Sequence, residues 1–419
     1  MNTSGSRHLK PDWVIIFLFI CLAGIGFVNI YSASVSGLEV SLLDLSKPHG
    51  KQLMFIGLSS ILILLIFSLD SKFYERFAFV FYLITTLLLI GLFIFGKKIS
   101  GATSWYVFGG VSIQPSEFAK VSCALLVAKY LSDNQVDLKN LKDLSVLSLW
   151  IFIPAFLILI QPDAGSALVF TAFFLVMYLH SLSGWFVFAG FSAIIMFLLT
   201  LLLGSTWAIG VVLGFCVLLY FLLGKRKHKT GPLLLFFSIC VVFSLSVNYI
   251  FQEVFEQRHR DRFNIVLGLT EDNRDIGFNT YQSKIALGSG GFWGKGFMEG
   301  TQTKGNFVPE QHTDYIFTTV GEEWGFAGSF VVIALFVLFL LRLLHLINRQ
   351  KTAFAKWYGF GVVCVFFIHF AINIGMVIGV VPTIGIPLPF FSYGGSSLWG
   401  FTLLLFIFIK LDATRYNEW

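Results

Sequence analysis

Residues 252–315 form a polar, glycine-rich stretch of 64 residues inside a chain that is otherwise strongly apolar. A segment this long is uncommon unless it is functional or disordered. Its charged side chains include Asp261, Glu271, Asp272 and Asp275, with Arg258, Arg260, Arg262, Arg274 and Lys284 beside them. Carboxylates can act as general bases, and guanidinium groups bind phosphates. The stretch can therefore bind something polar and charged at a membrane face.

Two shorter motifs carry isolated polar residues between apolar runs. Glu117 and Lys120 are three residues apart, so they share one helical face and can form an ion pair. A proline and a carboxylate are also ordinary signals for the start of a helix, and this alternative stays open. Asp163 is expected to cap the helix that follows it, a role compatible with chemistry.

Further ionisable residues follow the polar stretch. Glu322 and Glu323 lie in an apolar run, where charges are costly and usually functional, although the neighbouring glycines also fit an irregular helix. His312 and Asp314 could contribute to a metal site, but without a second nearby histidine the segment could equally cap the next helix. His180 and His369 are expected to be interior histidines.

The segment from Pro387 to Ser397 is rich in small residues. Its amide groups could form an oxyanion or phosphate cradle at the start of the next helix. A tight re-entrant turn explains the same residues and is the favoured interpretation when the segment is taken alone. The glycines at 288–296 do not complete a phosphate-loop pattern.

The elements that must position these residues are membrane helices. Hydrophobic residues make up 56% of the chain and charged residues 12%, which excludes a soluble globular domain. A span needs about 20 apolar residues. This measure predicts an all-α polytopic protein with about 10 to 12 transmembrane helices. The predicted spans lie near 13–32, 52–69, 77–96, 117–131, 146–161, 166–182, 184–203, 205–223, 232–251, 316–344, 357–381 and 390–410.

Loop charges predict the orientation. With the N-terminus in the cytoplasm, the loops rich in lysine and arginine all fall on the cytoplasmic side, including Lys225–Lys229. The C-terminus is then also cytoplasmic. The stretch 252–315, the turn at Asp163 and the segment 382–397 lie outside, so an extracytoplasmic active site is favoured. The net charge of +6 comes from short loops and gives no case for nucleic acid.

Six motifs occur in the order typical of one family. They are Gln114–Glu117, Gln161–Asp163, Gln282–Gly296, Pro309–Asp314, Gly321–Glu323 and Phe391–Ser396. In this order and over nearly the whole chain, the sequence resembles the SEDS family, and its cell-elongation branch, RodA, more than its division branch, FtsW. The resemblance implies one membrane domain over 1–419, with 252–315 as its extracytoplasmic catalytic loop. Residues 184–229 are expected to form an extra helical hairpin.

The resemblance implies a peptidoglycan glycosyltransferase of the bacterial cytoplasmic (inner) membrane that polymerises lipid II for cell elongation and shape. Its implied partners are a class B penicillin-binding protein, which supplies the transpeptidase, and other membrane proteins of the elongation machinery. Counted back from Gln282 and Ser283 without gaps, the family's catalytic aspartate corresponds to Asp272. Asn273 and Asp275 depart from the family pattern, which makes Asp275 a rival.

Inverting transfer needs a base behind the acceptor hydroxyl and stabilisation of the departing diphosphate. Asp272 is the expected base, and basic residues or a divalent cation, Mg²⁺ or Mn²⁺, could hold the diphosphate. The expected substrate-binding residues are Glu117, Lys120, Asp163, Arg258, Arg262, Gln282, Ser283, Lys295, His312, Asp314, Glu322, Ser392 and Ser396.

Two alternatives belong to other functional classes. A flippase or transporter of lipid-linked cell-wall precursors fits twelve spans and intramembrane carboxylates. It would need a central polar cavity reachable from both faces, whereas the motifs lie on one. A non-catalytic scaffold for a penicillin-binding protein would not need Asp272.

Overall fold

The computed structural model describes residues 10–35, 41–99, 101–109, 111–133, 136–222, 230–254, 257–269, 277–305, 307–308 and 310–415. The chain divides into two compact units. Unit 1 comprises Met1–Ser181 and Asn279–Trp419, and unit 2 comprises Leu182–Phe278.

Unit 1 contains most of the helices. Their bounds are α1 Trp13–Ser34, α2 Pro48–Ser68, α3 Ser71–Arg76, α4 Ala78–Phe95, α5 Pro115–Leu131, α6 Leu141–Ile160, α7 Ala164–Val169 and α8 Ala172–His180. After unit 2 come α13 Phe278–Ser289, α14 Thr301–Lys304, α15 Ile316–Glu323, α16 Gly325–Asn348, α17 Ala353–Val377 and α18 Gly395–Thr414. Helices α5 and α18 are almost entirely buried and pack against each other and against α2, α4 and α17.

The regular secondary structure in the described part of unit 2 is all helical. Its helices are α9 Gly184–Leu203, α10 Ser205–Leu222, α11 Thr230–Tyr249 with a π-helical extension Ile250–Val254, and α12 Gln257–Val266. A small core of Met196, Ala208, Val212, Cys216 and Cys240 joins α9, α10 and α11. Most other large apolar side chains of α9 and α10 are exposed, as expected for helices that face lipid. That this hairpin is an addition to the family fold stays a prediction.

Ten helices of the described part are long and apolar enough to cross a membrane. They are α1, α2, α4, α6, α9, α10, α11 with its extension, α16, α17 and α18. Helix α5, with 17 residues, and the pair α7 and α8 are shorter. The predicted all-α multi-pass membrane fold is confirmed, and helices occupy all twelve stretches predicted as spans.

The prediction of one continuous helix over 316–344 is wrong. The helix breaks between α15 and α16 at Trp324, and Gly325 has a φ of +65°. The loop at 290–296 supplies hydrogen bonds at this break. The amides of Lys295 and Gly296 donate to the carbonyls of Glu322 and Glu323 over 3.0 Å each. Gly294 must lack a side chain, since a Cβ there would lie 2.1 Å from the Glu323 carbonyl oxygen.

The polar stretch 252–315 was predicted as a loop, but α12, α13 and α14 lie within it. Helix α13 forms because Thr280, Ser283 and Ala286, three residues apart, are buried on one face. A second unpredicted feature is a small antiparallel sheet between α4 and α5. Its strands are β1 Lys97–Ile99, β2 Ala102–Phe108 and β3 Val111–Ile113.

Unit 1 has two chemically different ends, which helix α1 connects. Asp12, at the start of α1, pairs with Arg342 and Arg349 at the end of α16. Ser32, about 30 Å further along the helix at 1.5 Å per residue, donates to the carboxylate of Glu323 at the end of α15. These are called the Asp12 end and the Ser32 end below.

Candidate functional site

Asp163 and Gln114, which belong to two separate sequence motifs, lie together. The Gln114 amide donates to Asp163 Oδ2 over 2.9 Å and to Ser166 Oγ over 3.2 Å. Asp163 Oδ1 accepts from the Ser166 amide over 3.0 Å, which caps α7. The predicted capping role of Asp163 is therefore confirmed.

The turn at Asp163 lies against the segment that precedes α18. A Cβ on Gly165 would lie 2.3 Å from the Ile384 carbonyl oxygen, so the two backbones touch. The other side of this segment faces Asp314, whose Oδ2 would be 3.3 Å from a Cβ on Gly385. Asn373 holds the arrangement, because its amide donates to the backbone carbonyls of Asp314 over 2.8 Å and Ile386 over 2.7 Å.

Glu117 and Lys120 form the predicted ion pair, but it is buried. The Lys120 ammonium lies 2.8 Å from the Glu117 carboxylate and 2.9 Å from His369 Nε2, and the lysine is 0% exposed. An ammonium group can only donate, so His369 Nε2 accepts and its Nδ1 donates to the Pro387 carbonyl over 3.1 Å. This pair supports the segment before α18 and is not open to a substrate diphosphate in this structure.

Glu322 is a second buried carboxylate whose hydrogen bonds stay within the protein. It accepts from Lys295 Nζ over 2.8 Å and from the Gln302 and Thr303 amides over 2.9 and 2.8 Å, which holds the start of α14. Burial alone raises the pKa of Glu322, but these donors outweigh it and hold the pKa below its usual value. Lys295 is thus tied to Glu322 and to Thr301 Oγ1, 2.8 Å away.

Glu323, the next residue, has the opposite electrostatic environment. Its Oε1 accepts from Ser32, and its Oε2 is buried with no hydrogen-bond partner within the described part of the chain. Burial raises the pKa of this carboxyl, and the Ser32 hydroxyl offsets the effect only in part. Ser32 was not predicted from the sequence, since 291 residues separate it from Glu323.

The segment around Ser392 and Ser396 forms the tight turn that was favoured for it alone. Ser392 Oγ accepts from the Leu388 amide over 2.8 Å, and the Gly394 amide donates to Gln52 over 3.2 Å. The Tyr393 amide donates to the His312 carbonyl over 2.9 Å. These three amides have protein partners, so they do not form a free cradle. Ser392 and Ser396 are both buried.

His312 packs against this turn, with its ring 5.5 Å from the Tyr393 ring in an edge-to-face arrangement. Burial lowers the pKa of the His312 imidazole. The described residues contain no group of three histidine, cysteine or acidic side chains that could hold a metal. The weak metal prediction for His312 and Asp314 therefore gains no support.

Helix α13 brings Ser283 into the same end of unit 1. Ser283 Oγ donates to the Val377 carbonyl over 2.9 Å and lies 2.8 Å from Thr318 Oγ1, so it fastens α13 to α15 and α17. Gln282, its neighbour, is half-buried. Three hydroxyl groups that sequence reasoning missed lie nearby, namely those of Thr280, Tyr315 and Thr383.

The predicted base and some of its neighbours are not part of this description. Asp272 and Asp275 lie outside the described residues, as do Lys225–Lys229. Arg258 is in α12, and its side chain is likewise outside the description. Arg262 is half-buried in the same helix of unit 2. The structure thus brings together the predicted residues of unit 1 alone, at the Ser32 end.

A family profile described as cell cycle protein, for FtsW, RodA and SpoVE, matches residues 12–216 and 191–417. The chain belongs to this family. The family predicted from the motifs is confirmed. Relatives include the peptidoglycan glycosyltransferase MrdB of Escherichia coli K12, 31% identical over 93% of this chain and 90% of the relative. The peptidoglycan glycosyltransferase RodA of Treponema pallidum is 31% identical over 96% of this chain and 98% of the relative.

Solved structures of this family share the fold. A chain from a peptidoglycan synthase complex, in a study of how polymerization and crosslinking are coordinated, matches with a TM-score of 0.70 and 24% identity. That match covers 98% of this chain and 100% of the other. The rod shape-determining protein RodA of Thermus thermophilus matches with a TM-score of 0.63 and 24% identity over 98% and 99% of the two chains.

Proposed function

We propose that this membrane protein is a peptidoglycan glycosyltransferase that polymerises lipid II during cell elongation. The observation that carries the proposal is that the six family motifs contact one another in pairs in a RodA-like fold, namely Gln114 with Asp163, Lys295 with Glu322, and His312 with Tyr393. The turn at Asp163, together with Asp314 and Ser283, lies around the segment 377–386. The reaction class is that of the relatives, which the chain matches over about nine-tenths of their length or more.

In the proposed reaction, a sugar hydroxyl attacks the anomeric carbon of a polyprenyl-diphosphate donor. The hydroxyl proton passes to a base, a carbon–oxygen bond forms, and the diphosphate leaves from the opposite face with the bonding electrons. Asp272 is the proposed base and lies ten residues before Gln282 in the sequence. Ser283, the residue after Gln282, fastens α13 to the Val377 carbonyl. Arg258 and Arg262 are proposed to bind the diphosphate.

A divalent cation would add positive charge beside the leaving diphosphate. The described part of the chain contains no group of three histidine, cysteine or acidic side chains that could hold one. No step of the proposed reaction is therefore assigned to Mg²⁺ or Mn²⁺.

The orientation of the protein is also a proposal. Arg342, Arg349 and Arg415 lie at the Asp12 end, and Lys129 lies by Arg76 at the end of α5 away from Gln114. Because cytoplasmic loops are rich in lysine and arginine, this end is assigned to the cytoplasm together with both termini. The Ser32 end then faces outward from the bacterial inner membrane.

The comparison with solved structures supports a partner for this chain. A structure with the same fold belongs to a peptidoglycan synthase complex that couples polymerization to crosslinking. We assign to this chain a class B penicillin-binding protein, which would crosslink the new glycan, together with other membrane proteins of the elongation machinery. Co-purification from detergent tests the assignment. A polymerase that is fully active alone and never recovered with such a protein would remove it.

The transporter alternative predicts a polar path between both ends of the protein. The Ser32 end holds the motif residues, whereas the described residues at the Asp12 end include the ion pairs of Asp12, Arg342, Arg349 and Asp412. The experiment that tests the proposal is polymerisation of purified lipid II by detergent-purified protein, alone and with the partner. Long glycan strands are expected. Precursor movement across vesicles without strand formation would favour the transporter.

A further inference from the structure

Three hydroxyl groups from distant parts of unit 1 form a closed triangle. The Thr280 and Tyr315 hydroxyl oxygens are 3.0 Å apart, Thr280 and Thr383 are 3.2 Å apart, and Tyr315 and Thr383 are 2.6 Å apart. The sequence separations are 35, 103 and 68 residues, so the triangle is a tertiary contact and not part of a local turn.

Each hydroxyl of the triangle has one proton to donate and lone pairs to accept. Three such groups at hydrogen-bonding distance can each donate once and accept once around the ring. Thr280 is 6% exposed and Tyr315 is 1% exposed, so these two hydroxyls depend on the ring and on other protein groups rather than on bulk water. Removing one hydroxyl breaks the ring for all three.

The triangle joins the three segments that carry the predicted site. Thr280 is in the first turn of α13, two residues before Gln282. Tyr315 follows Asp314 directly, and Thr383 precedes Ile384 and Gly385, which contact the Asp163 turn and Asp314. One helical turn after Thr280, Ser283 fastens the same face of α13 to Thr318 and Val377.

We infer that Thr280, Tyr315 and Thr383 are positioning residues for glycosyl transfer, which fix Asp314 and the start of α13 against the segment 377–386. The inference rests on the proposed function. Tyr315 directly follows Asp314, and Thr383 lies two residues before Gly385, which packs beside the Asp314 carboxylate. The three hydroxyls act through Asp314 and do not themselves bond to the reacting atoms.

The test uses full-length protein with purified lipid II and measures kcat, KM and the melting temperature together. Thr280→Val, Thr383→Val and Tyr315→Phe remove a hydroxyl with little change of shape. Displacing a reacting group by about 1 Å can cost a factor of about 100, so kcat is expected to fall about 10- to 100-fold with KM changed less than about threefold. Thr280→Ser and Thr383→Ser restore the hydroxyl and are expected to restore kcat.

The matched control is Thr85→Val. Thr85 and Ser122 form a buried hydroxyl pair 2.6 Å apart between α4 and α5, outside the contacts of the site. This variant is expected to lower the melting temperature about as much as Thr280→Val while keeping the wild-type kcat. The double variant Thr280→Val/Thr383→Val is expected to lose little more kcat than either single variant, because one change already breaks the ring.

The inference is overturned if the folded valine and phenylalanine variants melt earlier but keep wild-type kcat, since the triangle would then only stabilise the fold. Failure of both serine variants to restore kcat overturns it as well. If a threonine variant does not fold, Tyr315→Phe, which keeps the buried ring, decides the question. Inactive wild-type and Thr85→Val proteins would instead count against the proposed function itself.

Discussion

Lys120 Nζ and His369 Nε2 lie 2.9 Å apart although 249 residues separate them in the chain. With Glu117 on one side and the Pro387 carbonyl on the other, they form a buried polar chain from α5 through α17 to the segment before α18. A lysine is rarely buried unless it is paired. Lys120 is therefore a structural support for a segment that contacts Asp314 and, through Gly165, the turn at Asp163.

Removing one partner of the Glu117–Lys120 ion pair is predicted to be strongly destabilising. Lys120→Met leaves the Glu117 carboxylate buried without its cation, and such losses cost about 3–5 kcal/mol. The double variant Glu117→Gln/Lys120→Met is expected to recover much of that loss. The fraction of protein that stays monodisperse after heating in detergent ranks the stability of these variants. The control is Lys129→Met in the same helix, where the lysine is only half-buried. Equal survival of Lys120→Met and wild type would contradict the support role.

Glu322 predicts a pH dependence of stability. Its folded pKa lies below the unfolded value of about 4.3, so its stabilisation is present above pH 4.3 and is lost as the pH falls through the folded pKa. Glu322→Gln is expected to cost about 1–3 kcal/mol at pH 7 and less at strongly acidic pH. Melting curves from pH 7 to pH 3 test this, with the exposed Glu299→Gln as control. A difference that stays constant with pH would argue against a charged Glu322.

Glu323 predicts the opposite pH dependence of stability. Its raised folded pKa means that its stabilisation is complete below about pH 4.3 and is lost as the pH rises through the folded pKa. At pH 7 the charged form is unfavourable in this buried site. Glu323→Gln is therefore expected to melt at the same temperature as wild type or higher at pH 7. This advantage is expected to shrink as the pH falls toward 4.3, and a large loss of stability at pH 7 would contradict the assignment.

The orientation is tested by single cysteines in intact cells. A membrane-impermeant thiol reagent applied from outside is expected to label a cysteine at position 273 and not one at position 227. The native cysteines are Cys21, Cys123, Cys216, Cys240 and Cys364, and all except Cys21 are buried. A variant with Cys21 replaced by alanine is a suitable background. Labelling at 227 alone would reverse both the topology and the proposed face of the active site.

The membrane helices could be predicted because their apolar runs are long and their ends carry proline, aspartate or glycine. The break at Trp324 was indicated only by the irregular helix that Gly321 and Gly325 also fit, because the apolar pattern continues through it and the loop at 290–296 supplies the missing hydrogen bonds. Likewise, the motifs predicted Glu117, Asp163 and Glu322 as important positions, but burial and partners decided what they do. Two of the three have supporting roles inside the protein.

Thr280, Tyr315 and Thr383 had no sequence signal. Hydroxyl residues are common in loops and helix starts, and a ring of three becomes visible only when segments 35 and 103 residues apart are brought together. The same holds for Ser32, whereas His369 was expected to be an interior histidine and is buried. Asp272 is the reverse case, because the motif spacing predicts it while the structure does not describe it.

The central claim is that Asp272 is the base of a lipid II polymerase. Loss of a positioned base typically lowers the rate by a factor of about 100 to 10,000. Asp272→Asn keeps size and hydrogen bonding without basicity, so it is expected to yield folded, membrane-inserted protein with almost no activity. Asp275→Gly, which restores the family pattern, is expected to stay active. Asp261→Asn is the control, since that half-buried carboxylate already accepts from Gln257 over 2.8 Å.

The most direct measurement compares glycan strand formation from purified lipid II by these variants at matched amounts of protein. The account predicts active wild type, Asp275→Gly and Asp261→Asn, with Asp272→Asn inactive. An inactive Asp275→Gly beside an active Asp272→Asn would move the base to Asp275. If Asp272→Asn and Asp275→Gly both polymerise lipid II at the wild-type rate, neither aspartate is the base and the account is contradicted.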